Sequence, residues 1–284
     1  MNTVKTRWAL AGVVFSFAMG FLQTESISYA ETPATGKHLR NIPYRADDGT
    51  LDAAARERCQ VDLFIPAGMT GFPTVVWFHG GGLTGGNREI PQAMMNQGVG
   101  IVSASYRLAP KVPVTTCLED AAAAAAWTIQ HIHEYGGSPD KVFLAGNSAG
   151  GYQVLMLGLD HKWLAAHDLS PDRFAGIVSV SGQAITHMAA RAEQKIPPKQ
   201  PLIDELAPLY HVRKDVPPLL LITGDRELEI YGRYDENAYL ARMFKIMGNP
   251  DVKLIEIPGT NHGTMFPPAI PHLFSFVKAQ TGSP

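Results

Sequence analysis

From about residue 60 to the end of the chain, short apolar runs alternate with longer segments of helical character. Residues 61–65, 74–78, 100–106, 142–145, 175–180, 219–223 and 252–257 are of strand length and rich in Val, Ile, Leu and Phe. Several are apolar at almost every position, which is what a strand buried on both faces requires. Helices are predicted between and after them, over residues 118–135, 149–159, 235–247 and 268–278. The first holds the alanine run 121–126, and alanine has the highest intrinsic helix propensity. Continuous strands separated by helices predict an α/β architecture, a mostly parallel sheet of about eight strands with helices on both faces.

One stretch breaks the alternation. Residues 182–218 are rich in Pro, His and charge and have no period, which predicts an excursion over the sheet edge that serves as a small lid. The segment before residue 58 is short, so little or no cap domain is expected.

The first thirty residues have a different character. Lys5 and Arg7 precede the almost uncharged apolar run 8–22, and Ser28-Tyr29-Ala30 offers a small-x-small cleavage site before Glu31. This order predicts a secretory signal peptide over 1–30, a single domain over 31–284, and a mature protein that is secreted or periplasmic. The apolar run is short of the roughly twenty residues that a membrane span needs, so no stable membrane anchoring is expected after cleavage. The formal charge of −2 and the lack of any basic cluster give no electrostatic case for nucleic acid as a partner. Cys59 and Cys117, 58 residues apart, have no metal-ligand spacing, which leaves a disulfide or two buried thiols.

Chemistry gathers at strand ends. Gly146-Asn147-Ser148-Ala149-Gly150 follows the strand 142–145 and opens a helix. A turn that tight strains its central residue, and its flanking glycines remove side chains that would clash. Ser148 would then project above the sheet as a nucleophile, beside the free N–H groups of a helix N-terminus. His79-Gly80-Gly81-Gly82 closes the strand 74–78. Consecutive glycines are entropically costly and suit a backbone that must approach a ligand closely, so the N–H groups of Gly81, Gly82 and Ala149 are the candidate oxyanion hole. His79 is read as ordering that loop.

A serine nucleophile needs a base. His262, in Gly259-Thr260-Asn261-His262-Gly263 beyond the last strand, lies on the same carboxyl edge as Ser148. His187 and His211 sit in the irregular excursion, and His131 and His133 occupy different faces of a helix. The base in turn needs a carboxylate to orient it. Asp225 ends the strand 219–223 through Gly224 and is the first candidate, with Glu227 and Glu229 as rivals. The order Ser148, Asp225, His262 is the one expected for α/β-hydrolases. No metal or organic cofactor is implied.

These motifs, with Tyr106-Arg107-Leu108-Ala109-Pro110, make residues 58–278 resemble the α/β-hydrolase carboxylesterases, particularly the group similar to hormone-sensitive lipase. The resemblance implies the triad and oxyanion positions named above, and a structural pairing of Arg107 with Asp120. Two features depart from the family: Asp225-Arg226-Glu227-Leu228-Glu229 replaces its usual Asp-Pro-Leu stretch, and the large helical cap is missing. The expected activity is hydrolysis of short-acyl carboxylic esters through an acyl-enzyme, on a small-molecule or carbohydrate ester. Secreted relatives that remove acetyl or feruloyl groups from plant polysaccharides make those a candidate substrate class. An amidase or formamidase would use the same triad, and a catalytically dead α/β-hydrolase fold could serve as a binding module.

Overall fold

A computed structural model describes residues 36–282, apart from 198 and 250; the predicted signal peptide lies outside the described residues. The elements in chain order are β1 (Gly36–Pro43), α1 (Ala53–Arg58), β2 (Gln60–Pro66), β3 (Phe72–Phe78), β4 (Gly100–Ala104), α2 (Val114–His131), β5 (Gly137–Asn147), α3 (Ala149–Leu159), α4 (His161–Ala165), β6 (Gly176–Val180), α5 (Met188–Glu193), β7 (Leu219–Gly224), α6 (Arg233–Ile246), β8 (Lys253–Ile257) and α7 (Phe266–Thr281). The eight strands form one sheet in the order β1-β2-β4-β3-β5-β6-β7-β8. Pairing is antiparallel for β1–β2 and β2–β4 and parallel from β4 through β8.

Every residue of β3, β4, β6 and β7 is buried, as their unbroken apolar character requires. Alternate side chains feed two cores. Val76, Phe78 and Leu144 join one with residues of α2, α3 and α6. Val75, Trp77, Phe143 and Ala145 join the other, which α7 covers with Ala269, Leu273, Phe274 and Val277. The alanine run of α2 is buried throughout, so small side chains bring that helix close to its neighbours.

α2 begins four residues earlier than its pattern predicts. The first N–H of a helix needs an acceptor from outside the helix, and the Glu193 carboxylate at the end of α5 accepts from Val114 N at 2.8 Å. That partner is 79 residues away and has no local signature. The 182–218 excursion holds α5 and a short 3-10 turn, Pro208–His211. It is fastened down by Tyr152 Oη donating to Leu206 O (2.8 Å), Thr186 Oγ1 donating to Asp204 Oδ1 (2.7 Å) and Ala184 N donating to Glu236 Oε2 (3.0 Å).

Cys59 and Cys117 are both buried free thiols, which resolves the alternative left open by sequence. The Arg107–Asp120 pairing is present. Arg107 donates through Nε and Nη2 to the two Asp120 oxygens, both at 2.8 Å, and its backbone N donates to Oδ2 at 3.0 Å. Arg45 Nε adds a further bond of 3.1 Å to the same fully buried carboxylate.

Candidate active site

β5 ends at Asn147 and α3 starts at Ala149, so Ser148 alone makes the turn. Its backbone sits at φ 55°, ψ −113°, a conformation a non-glycine residue holds only when its surroundings impose it. Contacts on either side do so. A Cβ on Gly146 would collide with the backbone of Gly150, and one on Gly150 would collide with the carbonyl of Phe78 at the end of β3. Ser148 N also donates to Val180 O, at the end of β6, at 2.7 Å.

The loop after β3 lies against this turn: a Cβ on Gly80 would stand 3.3 Å from Ser148 Cβ. Gly81 and Gly82 adopt φ +111° and +64°, and Gly81 O accepts from Thr84 N and Gly85 N, both at 3.0 Å. His79 braces the loop from behind. Its ring stacks on Tyr106 with centroids 4.5 Å apart, its Nδ1 donates to Gly80 O at 2.7 Å, and Tyr106 Oη donates to His79 O at 2.9 Å. Burial holds the His79 imidazole down to about 4, so it stays neutral. Neutrality and the bond to Gly80 suit the ordering role.

His262 bridges two partners. Its Nε2 lies 2.9 Å from Ser148 Oγ and its Nδ1 lies 2.7 Å from Glu229 Oε1. A carboxylate only accepts, so the proton sits on Nδ1, and Nε2 is left to accept from the serine hydroxyl. The Glu229 side chain is wholly buried. Its Oε2 accepts from Gly224 N (3.1 Å) and from Ser181 Oγ (2.9 Å), and its Oε1 also accepts from Ile230 N (3.1 Å). Burial raises this carboxyl, but the hydrogen bond and charge of His262, followed by the Ser181 hydroxyl, outweigh it and hold the group at about 2.

The carboxylate hydrogen-bonded to His262 is therefore Glu229, one of the two rivals, and not Asp225 as expected. Asp225 lies nearest the end of β7, but its carboxylate accepts from Gly259 N at 2.8 Å and Glu227 N at 2.9 Å, away from the imidazole. Those amides lower its pKa. Glu227 is exposed. The chain turns after Asp225, with Glu229 N donating to Asp225 O at 2.8 Å, and this turn brings the fifth residue of the stretch back beneath His262.

Ser148, His262, the Gly81–Gly82 loop and Ala149 thus gather at the carboxyl ends of the parallel strands. Sequence reasoning missed Ser181, which lies 3.0 Å from His262 Nδ1 as well as on Glu229. Its only sequence signal is its place, a serine before a glycine at the end of an apolar strand.

An alpha/beta hydrolase fold family model matches residues 75–266. The chain belongs to that family. Lipase 2 of Moraxella sp. (strain TA144) is 40% identical over 82 residues, 27% of this chain and 19% of the relative. Esterase LipI of Mycobacterium tuberculosis is 39% identical over 155 residues, 42% of this chain and 48% of the relative. Esterase LipC of the same organism is 24% identical over 250 residues, 80% and 60% respectively. The chain spans less than half the length of the first two curated relatives. Among solved structures, a truncated carbohydrate esterase from gut microbiota superposes with a TM-score of 0.71 at 17% identity, covering 88% of this chain and 99% of that one. Apo Thermogutta terrifontis esterase 2 gives 0.67 at 20% identity, covering 89% and 96%. These two likenesses are of fold.

Proposed function

We propose that the chain is a serine carboxylesterase with Ser148 as nucleophile, His262 as general base and acid, and Glu229 as the carboxylate that orients it. The observation that carries this reading is the continuous line from Glu229 Oε1 through the His262 ring to Ser148 Oγ, with gaps of 2.7 and 2.9 Å. As Ser148 Oγ attacks the ester carbonyl carbon, its proton passes to His262 Nε2. The carbonyl oxygen becomes an oxyanion held by the N–H groups of Gly81, Gly82 and Ala149, each such donor commonly worth about 3 kcal/mol of barrier. The imidazolium, stabilised by Glu229, then protonates the leaving alcohol as the C–O bond breaks. Water attacks the acyl-enzyme in the same way and restores the serine.

The relatives named as esterases favour ester hydrolysis. Short acyl groups are favoured because among the described residues no large cap covers the site, and the 182–218 excursion is pinned by hydrogen bonds to α3 and α6. Acetylated or feruloylated carbohydrates are the substrate class to try first. We further propose that residues 1–30 direct export, for which the check is a mature N-terminus at Glu31. The test of the activity is hydrolysis of p-nitrophenyl acetate by purified wild type and Ser148→Ala. The variant should fold and lose the activity; an unchanged rate would remove Ser148 from the mechanism. Matched ester and amide substrates separate an esterase from an amidase.

A further inference from the structure

The triad geometry uses one group that the acyl-transfer scheme does not need. Ser181 follows β6 and takes φ 49°, a left-handed conformation unusual for serine. Nothing in a bare turn calls for a strained non-glycine there, and the following residue is itself a glycine. The strain is held from both ends. Ser181 N donates to Ile222 O in β7 at 2.7 Å, and the buried Arg233 guanidinium at the start of α6 donates to Ser181 O. The result aims the hydroxyl at the acid–base pair, 2.9 Å from Glu229 Oε2 and 3.0 Å from His262 Nδ1.

Resting on the triad reading above, we propose that Ser181 is a positioning residue for the reaction, a fourth member that locks the Glu229 carboxylate and the imidazole plane together. Its hydroxyl proton goes to Glu229 Oε2, because the carboxylate can only accept and Nδ1 already carries a proton. Its oxygen lone pairs then face the Nδ1–H, so one group bonds the carboxylate and faces the proton that the carboxylate shares with the ring. The Val180–Ser181 peptide ties this lock to the nucleophile, since Val180 O accepts Ser148 N–H at 2.7 Å. Ser148, Glu229 and His262 are thereby referred to one dipeptide at the end of β6. The buried Arg233 guanidinium, which feels the charge of Glu229, holds the Ser181 carbonyl in place.

The experiment compares Ser181→Gly, Ser181→Cys and Ser181→Thr with wild type. Glycine fits the backbone and deletes the hydroxyl, cysteine keeps the side chain's shape with a weak donor, and threonine restores a hydroxyl. A hydrogen bond to a charged group predicts that kcat on p-nitrophenyl acetate falls about 10- to 100-fold in the Gly and Cys variants. KM should stay within about twofold, because Ser181 does not touch substrate. The downfield proton NMR signal of His262 Nδ1–H should move in the same two variants, a response that a merely structural role would not produce. Threonine brings back the hydroxyl but strains its β-branch at φ 49° in a fully buried position, so its kcat is compared with glycine's only when its urea midpoint matches wild type, and should then be the higher of the two. Should glycine fail to fold, the cysteine variant carries the same expectation. Unchanged kcat with an unmoved Nδ1–H signal in a folded Gly or Cys variant overturns the proposal. Ser148→Ala, assayed alongside, tells the two failures apart, since activity surviving in it would overturn the triad reading instead.

Discussion

Asp225 stitches two loops together through Gly259. Its carboxylate accepts from Gly259 N at 2.8 Å while its own N–H donates to Thr260 O at 2.8 Å. The loop after β7 carries Glu229 and the loop after β8 carries His262, so this double link fixes the two side chains' elements relative to each other. Asp225→Asn keeps an oxygen able to accept, and should lower kcat by less than about tenfold. Glu229→Gln removes the charge beneath the imidazole and can favour the wrong tautomer; by analogy with serine proteases its cost is on the order of ten-thousandfold. Steady-state kinetics on both variants, with circular dichroism to verify folding, decides between the two carboxylates.

Two buried histidines make the fold sensitive to mild acid. Burial holds His79 at about 4; burial and the charges of Arg233 and Arg191 hold His187 at about 3; both would titrate at 6.5 in the unfolded chain. Between pH 6.5 and about 4 the unfolded state therefore binds more protons, so unfolding free energy falls as pH falls. Glu229, at about 2 when folded against 4.5 when unfolded, adds a second loss in the same direction between about 4.5 and 2. Urea midpoints measured from pH 7.5 down to 4 should decline, and His187→Gln should flatten the upper part of the decline. A midpoint that is constant from pH 7.5 to 4 would contradict both assignments.

Among the described residues, Asp120 is the most heavily bonded carboxylate away from the site. Removing one partner of a buried ion pair leaves an uncompensated charge and typically costs about 3–5 kcal/mol. Asp120→Ala strands the Arg107 guanidinium, with Arg45 beside it, and should lower the urea midpoint accordingly. Arg107→Met combined with Asp120→Leu should recover part of the loss, because an apolar pair needs no partner.

The two thiols should be silent in the native protein. Burial pushes Cys117 up to about 12 and also raises Cys59, so neither presents a thiolate at neutral pH. A disulfide-exchange reagent such as dithionitrobenzoate should titrate neither thiol in buffer and both in denaturant. Reaction of either at the native rate of an exposed thiol would show that the packing around α2 opens.

The sheet was readable because strands buried on both faces are apolar at nearly every position, as residues 74–78 and 219–223 are. The turn at Ser148 was readable for a related reason: Gly146 and Gly150 mark a place where backbone meets backbone, and only glycine leaves room. The carboxylate that meets His262 was not readable from proximity to the strand end. Residues 225, 227 and 229 are all carboxylates within one loop, and the turn that carries Glu229 under the imidazole is set by backbone bonds to Asp225 and Thr260. Ser181 and the Glu193 cap on α2 escaped because each acts on a residue 48 or more positions away. Such contacts leave no periodic trace in the chain.

The contact between Gly150 and the Phe78 carbonyl has a practical corollary for altering specificity. Because the nucleophile turn and the glycine loop meet main chain to main chain, their spacing is independent of any side chain a protein engineer would wish to vary. Libraries at exposed side chains such as Asn87 and Tyr210 can therefore be built while the reacting atoms keep their registration, whereas Leu83 is fully buried and a Cβ on Gly86 would collide with His79 and Gly80 O. Randomising around Gly146, Gly150 or Phe78 would instead shift nucleophile and donors together and forfeit turnover on every substrate at once.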